Sequence, residues 1–192
     1  MVSKSKTLGK SPIILITVGT TLFPFTRLLK AIDHSLLSIP YNPFVIVQSF
    51  IDYEWKYPNV KLYKDVSPPE IITLIQNASR IICHGGIGTM HTISQCNKKT
   101  MPLIVARKAR YQEHVDDHQV KFLEFLKNKV PTDYHHNLLT HNSFEKRINE
   151  YLMEEPQSNI LSHTLFPRSD HNQLVNKLNS YIQRSHENTI NT

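Results

Sequence analysis

Short apolar runs alternate along the chain with longer stretches in which apolar residues recur every three or four positions. The clearest run covers residues 13–18, which is β-branched, apolar on both sides and stopped by Gly19. Such a run is typical of a strand buried in a parallel sheet. The same pattern predicts five strands, over residues 13–18, 44–47, 60–63, 80–83 and 102–106.

The stretches between these runs have the spacing of amphipathic helices, and Ser67 followed by proline is a suitable start for one of them. Four helices are predicted in this way, over residues 24–37, 68–78, 87–95 and 116–127. Strands that alternate with helices predict an α/β fold with a doubly wound, Rossmann-like parallel sheet. Ligands of such sheets bind beyond the carboxyl ends of the strands. The loops at that edge begin at Gly19, Gln48, His84 and Arg107.

The pattern changes after residue 130. Residues 131–192 are rich in Asn, His, Ser and charged residues, with helices predicted over 143–153 and 172–183 and no clear strand. We therefore divide the chain into a Rossmann-like domain, residues 12–130, and a helical C-terminal extension, residues 131–192. The extension is either a cap on the sheet or an appendage that binds a partner.

Composition narrows the class of protein. The 192 residues are 40% apolar and 20% charged, which is enough to bury a core. The formal net charge of +6 suits anionic partners such as nucleotides, phosphates or nucleic acid. The two cysteines cannot form a disulfide framework, and the first apolar run is too short for a signal peptide or a membrane helix. We expect a cytoplasmic protein that does not itself span a membrane.

The strongest local signal for a binding site is the glycine-rich stretch His84-Gly85-Gly86-Ile87-Gly88-Thr89, between a predicted strand and a predicted helix. Free N–H groups at a helix start bind anions, and glycine lets the backbone approach them, so a phosphate or pyrophosphate is the natural ligand. The stretch is neither a Walker A loop nor a full G-x-G-x-x-G fingerprint. A tight turn without a ligand remains an alternative. If the loop holds a pyrophosphate, Gly86→Val is expected to abolish binding and leave the fold intact.

Two more loops bring polar groups to the same edge. Gly19-Thr20-Thr21 ends the first strand, and a basic segment from Arg107 leads into Glu113-His114-Val115-Asp116-Asp117-His118-Gln119. The segment from Glu113 to Gln119 suits a polyhydroxylated ligand, although taken alone it is better explained as a polar helix start. His114, His118 and Asp117 could imitate a metal site, but no H-E-x-x-H motif is present and we expect no metal. A nucleic-acid site would need interleaved aromatic and basic residues, which the sequence lacks, so we expect no nucleic-acid partner.

Taken together, these motifs resemble the donor-binding half of glycosyltransferase family 28 in its split, two-subunit form. Within that family the chain resembles the bacterial exopolysaccharide and capsule proteins of the PssE type and, more distantly, the soluble subunit of the eukaryotic dolichol-linked GlcNAc transferase. The matching motifs are, in chain order, Ile16-Thr17-Val18-Gly19-Thr20, Pro24-Phe25-x-Arg27-Leu28, Val47-Gln48, Ile82-x-His84-Gly85-Gly86-x-Gly88-Thr89, Pro102-x-Ile104-Val105 and Glu113-His114-Val115-Asp116-Asp117-His118-Gln119.

The resemblance implies one Rossmann-like half of the GT-B architecture, with a UDP-sugar in the crevice and no cofactor. The positions that would contact the donor are Gly19, Thr20, Thr21, Val66, His84, Gly85, Gly86, Gly88, Thr89, Thr92, Arg107, Glu113, Asp117, His118 and Gln119. Within this set, Val66 would face the uracil, and His118 and Gln119 the sugar hydroxyls. Thr92 stands where the family usually has a glutamate that binds the ribose.

A GT-B enzyme needs two halves, so the resemblance also implies a partner. This would be a membrane-anchored PssD-like subunit that binds the lipid-linked saccharide acceptor and brings the complex to the inner face of the membrane. The catalytic base would come from that partner or from His84. Because Thr92 replaces the glutamate, a non-catalytic nucleotide-sugar scaffold or sensor remains an alternative.

Overall fold

The computed structural model describes residues 11–96, 101–141 and 143–154. The strands are β1 Ile13–Thr17, β2 Phe44–Gln48, β3 Val60–Tyr63, β4 Arg80–His84, β5 Leu103–Val105 and β6 Leu138–Leu139. The helices are α1 Thr26–Ser38, α2 Pro68–Asn77, α3 Ile87–Gln95, α4 His118–Lys127 and α5 Glu145–Met153, with short 3₁₀ helices at Ala109–Tyr111 and Thr132–Asn137. The strands and helices predicted before residue 130 are therefore confirmed, with small changes at their ends.

All six strands run parallel, in the order β3-β2-β1-β4-β5-β6. This is the strand order of the Rossmann fold, which confirms the doubly wound sheet. The chain moves outward from β1 to β3 on one side and then returns to place β4 on the other side of β1. The loops after β1 and β4 therefore diverge, and the crevice between them is where such sheets bind ligands.

Each face of the sheet carries its own core because successive strand residues point to opposite sides. In β1, Ile14 and Ile16 join the core formed with α1 and α5, and Leu15 joins the core formed with α2, α3 and α4. Both faces of the central strands are thus covered, which explains why their sequences are continuously apolar. None of the helices in the described part of the chain combines the length and apolarity needed to cross a membrane.

The prediction that no strand follows residue 130 is wrong. Leu138 and Leu139 form β6, which pairs in parallel with β5 and is buried. Two residues are too few to produce a recognisable strand pattern, so only the sheet reveals them. The predicted helix over 143–153 is confirmed as α5, whereas the one over 172–183 lies outside the described residues. The division of the chain at residue 130 stays a prediction.

Tyr151 ties α5 to the sheet and offers a test of this packing. Its hydroxyl is buried, 2.9 Å from Met101 O and 3.1 Å from Ile81 O. Tyr151→Phe should lower the free energy of unfolding by about 1–3 kcal/mol, because a buried hydrogen bond is lost without compensation. Urea denaturation followed by circular dichroism measures the change. Tyr111→Phe, at an exposed ring, is the control and should shift stability by less than about 0.5 kcal/mol; equal stability of both variants would show that α5 lies outside the cooperative core.

Candidate functional site

A cavity of about 340 Å³ opens at the crevice beyond β1, β2 and β4. Its volume lies in the range of about 300–1,000 Å³ that is usual for small-molecule sites. Eight of the predicted donor-binding residues line it: Gly19, Thr20, Val66, His84, Gly86, Gly88, Thr89 and Thr92. The sheet thus brings together three loops and the start of a helix that are far apart in the sequence.

The start of α3 forms one wall of the cavity. The helix begins at Ile87 after Gly86, and the first N–H groups of any helix lack acceptors within it. Gly86, Gly88 and Thr89 all line the cavity at this point. A Cβ at Gly88 would meet no atom within 4 Å, so the backbone is open to a ligand there. This wall is suited to an anion such as a phosphate.

The opposite wall is the loop after β1, and Gln48 holds it in place. Gln48 Oε1 accepts hydrogen bonds from Thr17 Oγ1 at 2.8 Å and Gly19 N at 3.2 Å, and Gln48 Nε2 donates to Gly19 O at 3.2 Å. Gly19 adopts a φ of 81°, a left-handed conformation that favours glycine. The buried Gln48 amide therefore fixes the loop that carries Thr20.

Sequence reasoning did not place Gln48 or Thr17 in the site, although both belong to motifs of the resemblance. The other lining residues that it missed are Ile71 and Ile75 of α2. A glutamine at the carboxyl end of an otherwise apolar strand was the available signal for Gln48. No signal marked the two isoleucines, because an apolar residue on an amphipathic helix is expected to face the core.

His84 lies between the two walls. Its imidazole is so close to Gly19 that a Cβ there would lie 2.8 Å from Cε1 and 2.9 Å from Nε2. His84 Nδ1 is 3.3 Å from Thr17 O, and since a carbonyl only accepts, Nδ1 carries the proton of the neutral ring. Nε2 therefore presents a lone pair.

Burial, followed by the positive charge of Arg107, lowers the pKa of His84 to about 4, although the hydrogen bond to Thr17 opposes the shift. His84 is thus a neutral imidazole at neutral pH. Within the cavity it offers an acceptor and not a positive charge.

The position of His84 changes the interpretation of Gly86. A Cβ at Gly86 would overlap the His84 ring. Gly86→Val would therefore displace the imidazole, which contradicts the expectation that this variant keeps the fold intact. Gly88, where a side chain meets open space, is the better position for a test.

Arg107 does not line the cavity but links the loop after β1, which does, to the loop after β5. The guanidinium is buried and donates to Val18 O at 2.7 Å, Phe23 O at 2.8 Å and Glu113 O at 3.0 Å. It also lies 4.6 Å from the centre of the Phe25 ring, a cation–π contact. Burial lowers the pKa of Arg107 to about 10, which still leaves the group charged at neutral pH. The guanidinium thus binds backbone carbonyls of the protein and does not face the cavity.

Glu113 is likewise buried outside the cavity. Its carboxylate accepts two hydrogen bonds of 2.8 Å from Arg27 and one of 3.0 Å from the Lys108 N–H. This bidentate pair joins α1 to the loop after β5. Arg107 and Glu113 are both among the predicted donor contacts. Their side chains instead bind groups of the protein and stabilise the loop after β5.

The remaining predicted residues also lie outside the cavity lining. Gly85 N donates to Val105 O at 3.0 Å, and Gln119 Oε1 accepts from Arg107 N at 3.1 Å. Asp117 Oδ1 accepts from Ala109 N at 2.9 Å, and Thr21 Oγ1 accepts from Phe23 N at 3.3 Å. His118 is partly exposed at the start of α4. These contacts shape the loops around the cavity.

No protein-family model and no curated protein matches the chain. Among solved structures, the chain is similar to the glycotransferase of kitacinnamycin, at TM-score 0.44 and 12% identity over 76% of this chain and 39% of that one. It is also similar to the spinosyn forosaminyltransferase SpnP, at TM-score 0.45 and 17% identity, over 84% of this chain and 43% of that one. A third similar structure is the glycosyltransferase SnogD from Streptomyces nogalater, at TM-score 0.37 and 15% identity, over 81% of this chain and 41% of that one. The chain spans about two fifths of the length of each. The assignment of the fold rests on the strand order of this chain.

The ion pair of Arg27 and Glu113 should contribute strongly to stability. Glu113→Ala is expected to lower the free energy of unfolding by about 3–5 kcal/mol, because it leaves a largely buried guanidinium unpaired. Urea denaturation measures the loss. Asp52→Ala is the control: its pair with Lys64 is exposed and should contribute less than about 1 kcal/mol. Similar losses in the two variants would contradict a structural role for Glu113.

The lowered pKa of His84 predicts a pH dependence of stability. Unfolding restores an ordinary pKa near 6.5, so between pH 6.5 and 4 the unfolded chain binds more protons than the folded one. Stability should therefore fall as pH drops through this window, with about 3 kcal/mol attributable to His84. His84→Asn keeps a donor for Thr17 O without titrating and should flatten the curve.

Denaturation curves at several pH values give the comparison. His34→Asn, at an exposed position of α1, should leave the slope unchanged. An unaltered slope in His84→Asn would show that the imidazole is not held neutral by burial.

Proposed function

We propose that the protein is the donor-binding subunit of a two-component inverting glycosyltransferase, which moves a sugar from a UDP-sugar to a lipid-linked acceptor in polysaccharide biosynthesis. The observation that carries this proposal is the cavity in which the start of α3 faces the Gly19 loop at the switch point of the sheet. A diphosphate placed there meets free backbone N–H groups. The net charge of +6 favours the same anionic ligand.

The other walls of the cavity suit the rest of a UDP molecule. Val66, Ile71 and Ile75 form an apolar side, which can cover one face of a uracil ring. Thr92 lies nearby with its hydroxyl donated to Gly88 O at 2.9 Å, so its oxygen is left to accept a hydrogen bond from the ribose. His118 and Gln119 lie outside this cavity, and Gln119 is buried with its Oε1 accepting from Arg107 N. Of the two, the partly exposed His118 is therefore the one proposed to contact the sugar.

The proposed reaction is a direct displacement at the sugar C1. The acceptor hydroxyl oxygen forms a bond to C1, the bond from C1 to the diphosphate oxygen breaks, and UDP leaves with the electron pair. The N–H groups of α3 stabilise the charge on the leaving diphosphate, which makes a metal ion unnecessary for this step. The acceptor proton passes to a base, either on the partner subunit or at His84, whose Nε2 lone pair is free to accept it.

The chain is proposed to act with a membrane-anchored, PssD-like subunit that supplies the acceptor site. One Rossmann-like unit provides one wall of a GT-B active site, and the acceptor must approach from the open side of the cavity. The complex would work at the inner face of the membrane.

A non-catalytic nucleotide-sugar scaffold or sensor is the second candidate. The observation that favours it is Thr92, whose hydroxyl is turned to Gly88 O and offers the ribose no carboxylate. Such a protein would bind UDP but would not transfer sugar in the presence of its partner.

The donor site can be tested with Gly88→Val. A side chain there projects into open space and should fill part of the cavity without disturbing the core, so UDP affinity should fall at least tenfold while the melting temperature stays close to that of the parent chain. Calorimetric titration with UDP, with ADP and a chelator in parallel, measures this. Binding to the parent should favour UDP and should not depend on the chelator.

Thr73→Val, at an exposed position of α2 outside the cavity, is the matched control and should bind UDP normally. The titration is repeated with the partner subunit present. Equal UDP affinity of the Gly88→Val and parent chains, or no UDP binding in either setting, would overturn the proposal. Binding without sugar transfer in the complex would favour the scaffold.

A further inference from the structure

Three potential metal ligands converge in the loop that leads from β5 to α4. His114, Asp116 and His118 each offer one ligand atom, and these atoms lie within 4.8 Å of one another. His114 Nδ1 is 3.5 Å from Asp116 Oδ1, and His118 Nδ1 contacts the same oxygen. The two imidazoles meet edge to face, with their centres 4.4 Å apart. None of the three residues lines the cavity described above.

We propose that His114, Asp116 and His118 form a binding site for one divalent transition-metal ion such as Zn²⁺. Two imidazoles and one carboxylate are ligands that Zn²⁺ accepts, and three protein ligands leave a coordination position open. The hard ions Mg²⁺ and Ca²⁺ prefer sites made of oxygen ligands alone, so they fit this set poorly. The inference stands on these three residues and does not depend on the proposed glycosyltransferase function.

The loop that carries the ligands is held at several points, which reduces the entropy lost when a metal binds. The His114 ring stacks on Phe23, with centres 5.9 Å apart and planes inclined by 29°. Asp116 Oδ1 accepts the His118 N–H at 3.1 Å, and Asp117 Oδ1 accepts the Ala109 N–H at 2.9 Å. Arg107 binds Glu113 O at the start of the segment. The backbone of the site is therefore ordered before a metal binds.

The structure also corrects the choice of carboxylate. The sequence alone paired the two histidines with Asp117, which instead accepts the Ala109 N–H. Asp116 lies between the imidazoles and takes its place. The two histidines also do not lie on one face of a helix, because α4 begins only at His118.

Cobalt titration of the tag-free full chain tests the site, since Co²⁺ substitutes for Zn²⁺ and its visible absorption reports coordination. We expect one equivalent of Co²⁺ to bind, to be displaced by one equivalent of Zn²⁺, and not to be displaced by equimolar Mg²⁺. Asp116→Asn and His118→Ala should each weaken binding at least tenfold. Both side chains are substantially exposed, so neither variant should unfold the protein.

His34→Ala, at an exposed position of α1, is the matched control and should bind Co²⁺ like the parent. Histidine-selective NMR spectra during a Zn²⁺ titration should shift the His114 and His118 ring signals first among the eleven histidines. Parent affinity that is no tighter than that of the His114→Ala/His118→Ala double variant would overturn the proposal. So would shifts that appear first at other histidines.

Discussion

The buried guanidinium of Arg107 is the interaction on which the arrangement of the candidate site depends. It binds carbonyl oxygens of Val18 and Phe23 in the loop after β1 and of Glu113 in the loop after β5. These loops belong to strands that are not neighbours, because β4 lies between them. Breaking the hydrogen bonds of a buried charge is costly, so the two loops cannot move apart without a large penalty. This requirement fixes the loops after β1 and β5 relative to each other.

The neutral ring of His84 sets the shape of the cavity. It fills the space beside Gly19 and Gly86, which must therefore lack side chains, while Gly88 leaves the start of α3 open. These three glycines thus have separate roles: Gly19 and Gly86 make room for the ring, and Gly88 leaves access to the helix start. The same burial that fits the ring between the loops keeps it uncharged, so the positive character of the site comes from the helix N–H groups.

The carboxyl edge of the sheet therefore carries two distinct chemistries. The cavity at the switch point offers backbone donors and an apolar side, which suits a nucleotide diphosphate. The segment from His114 to His118 offers nitrogen and oxygen ligands on a loop held by Arg107 and Asp117. The two sites share their supporting hydrogen bonds but not their lining residues. A substitution that removes this shared support is therefore expected to affect both proposed sites, whereas a change in one lining is expected to affect that site alone.

The sequence by itself determined the alternation of strands and helices, the parallel sheet and the loops at its carboxyl edge, because burial on both faces leaves continuous apolar runs. It also placed the glycine-rich start of α3 in the site. Only the tertiary structure decided which polar residues face the cavity and which support it. The sequence predicted Arg107 and Glu113 as ligand contacts. It gave little indication of Gln48 as a site residue or of β6 as a strand. The physical reason is that their decisive partners, such as Val18 and Phe23 for Arg107 and Arg27 for Glu113, lie tens of residues away, and hydrogen bonds between distant segments leave no local pattern.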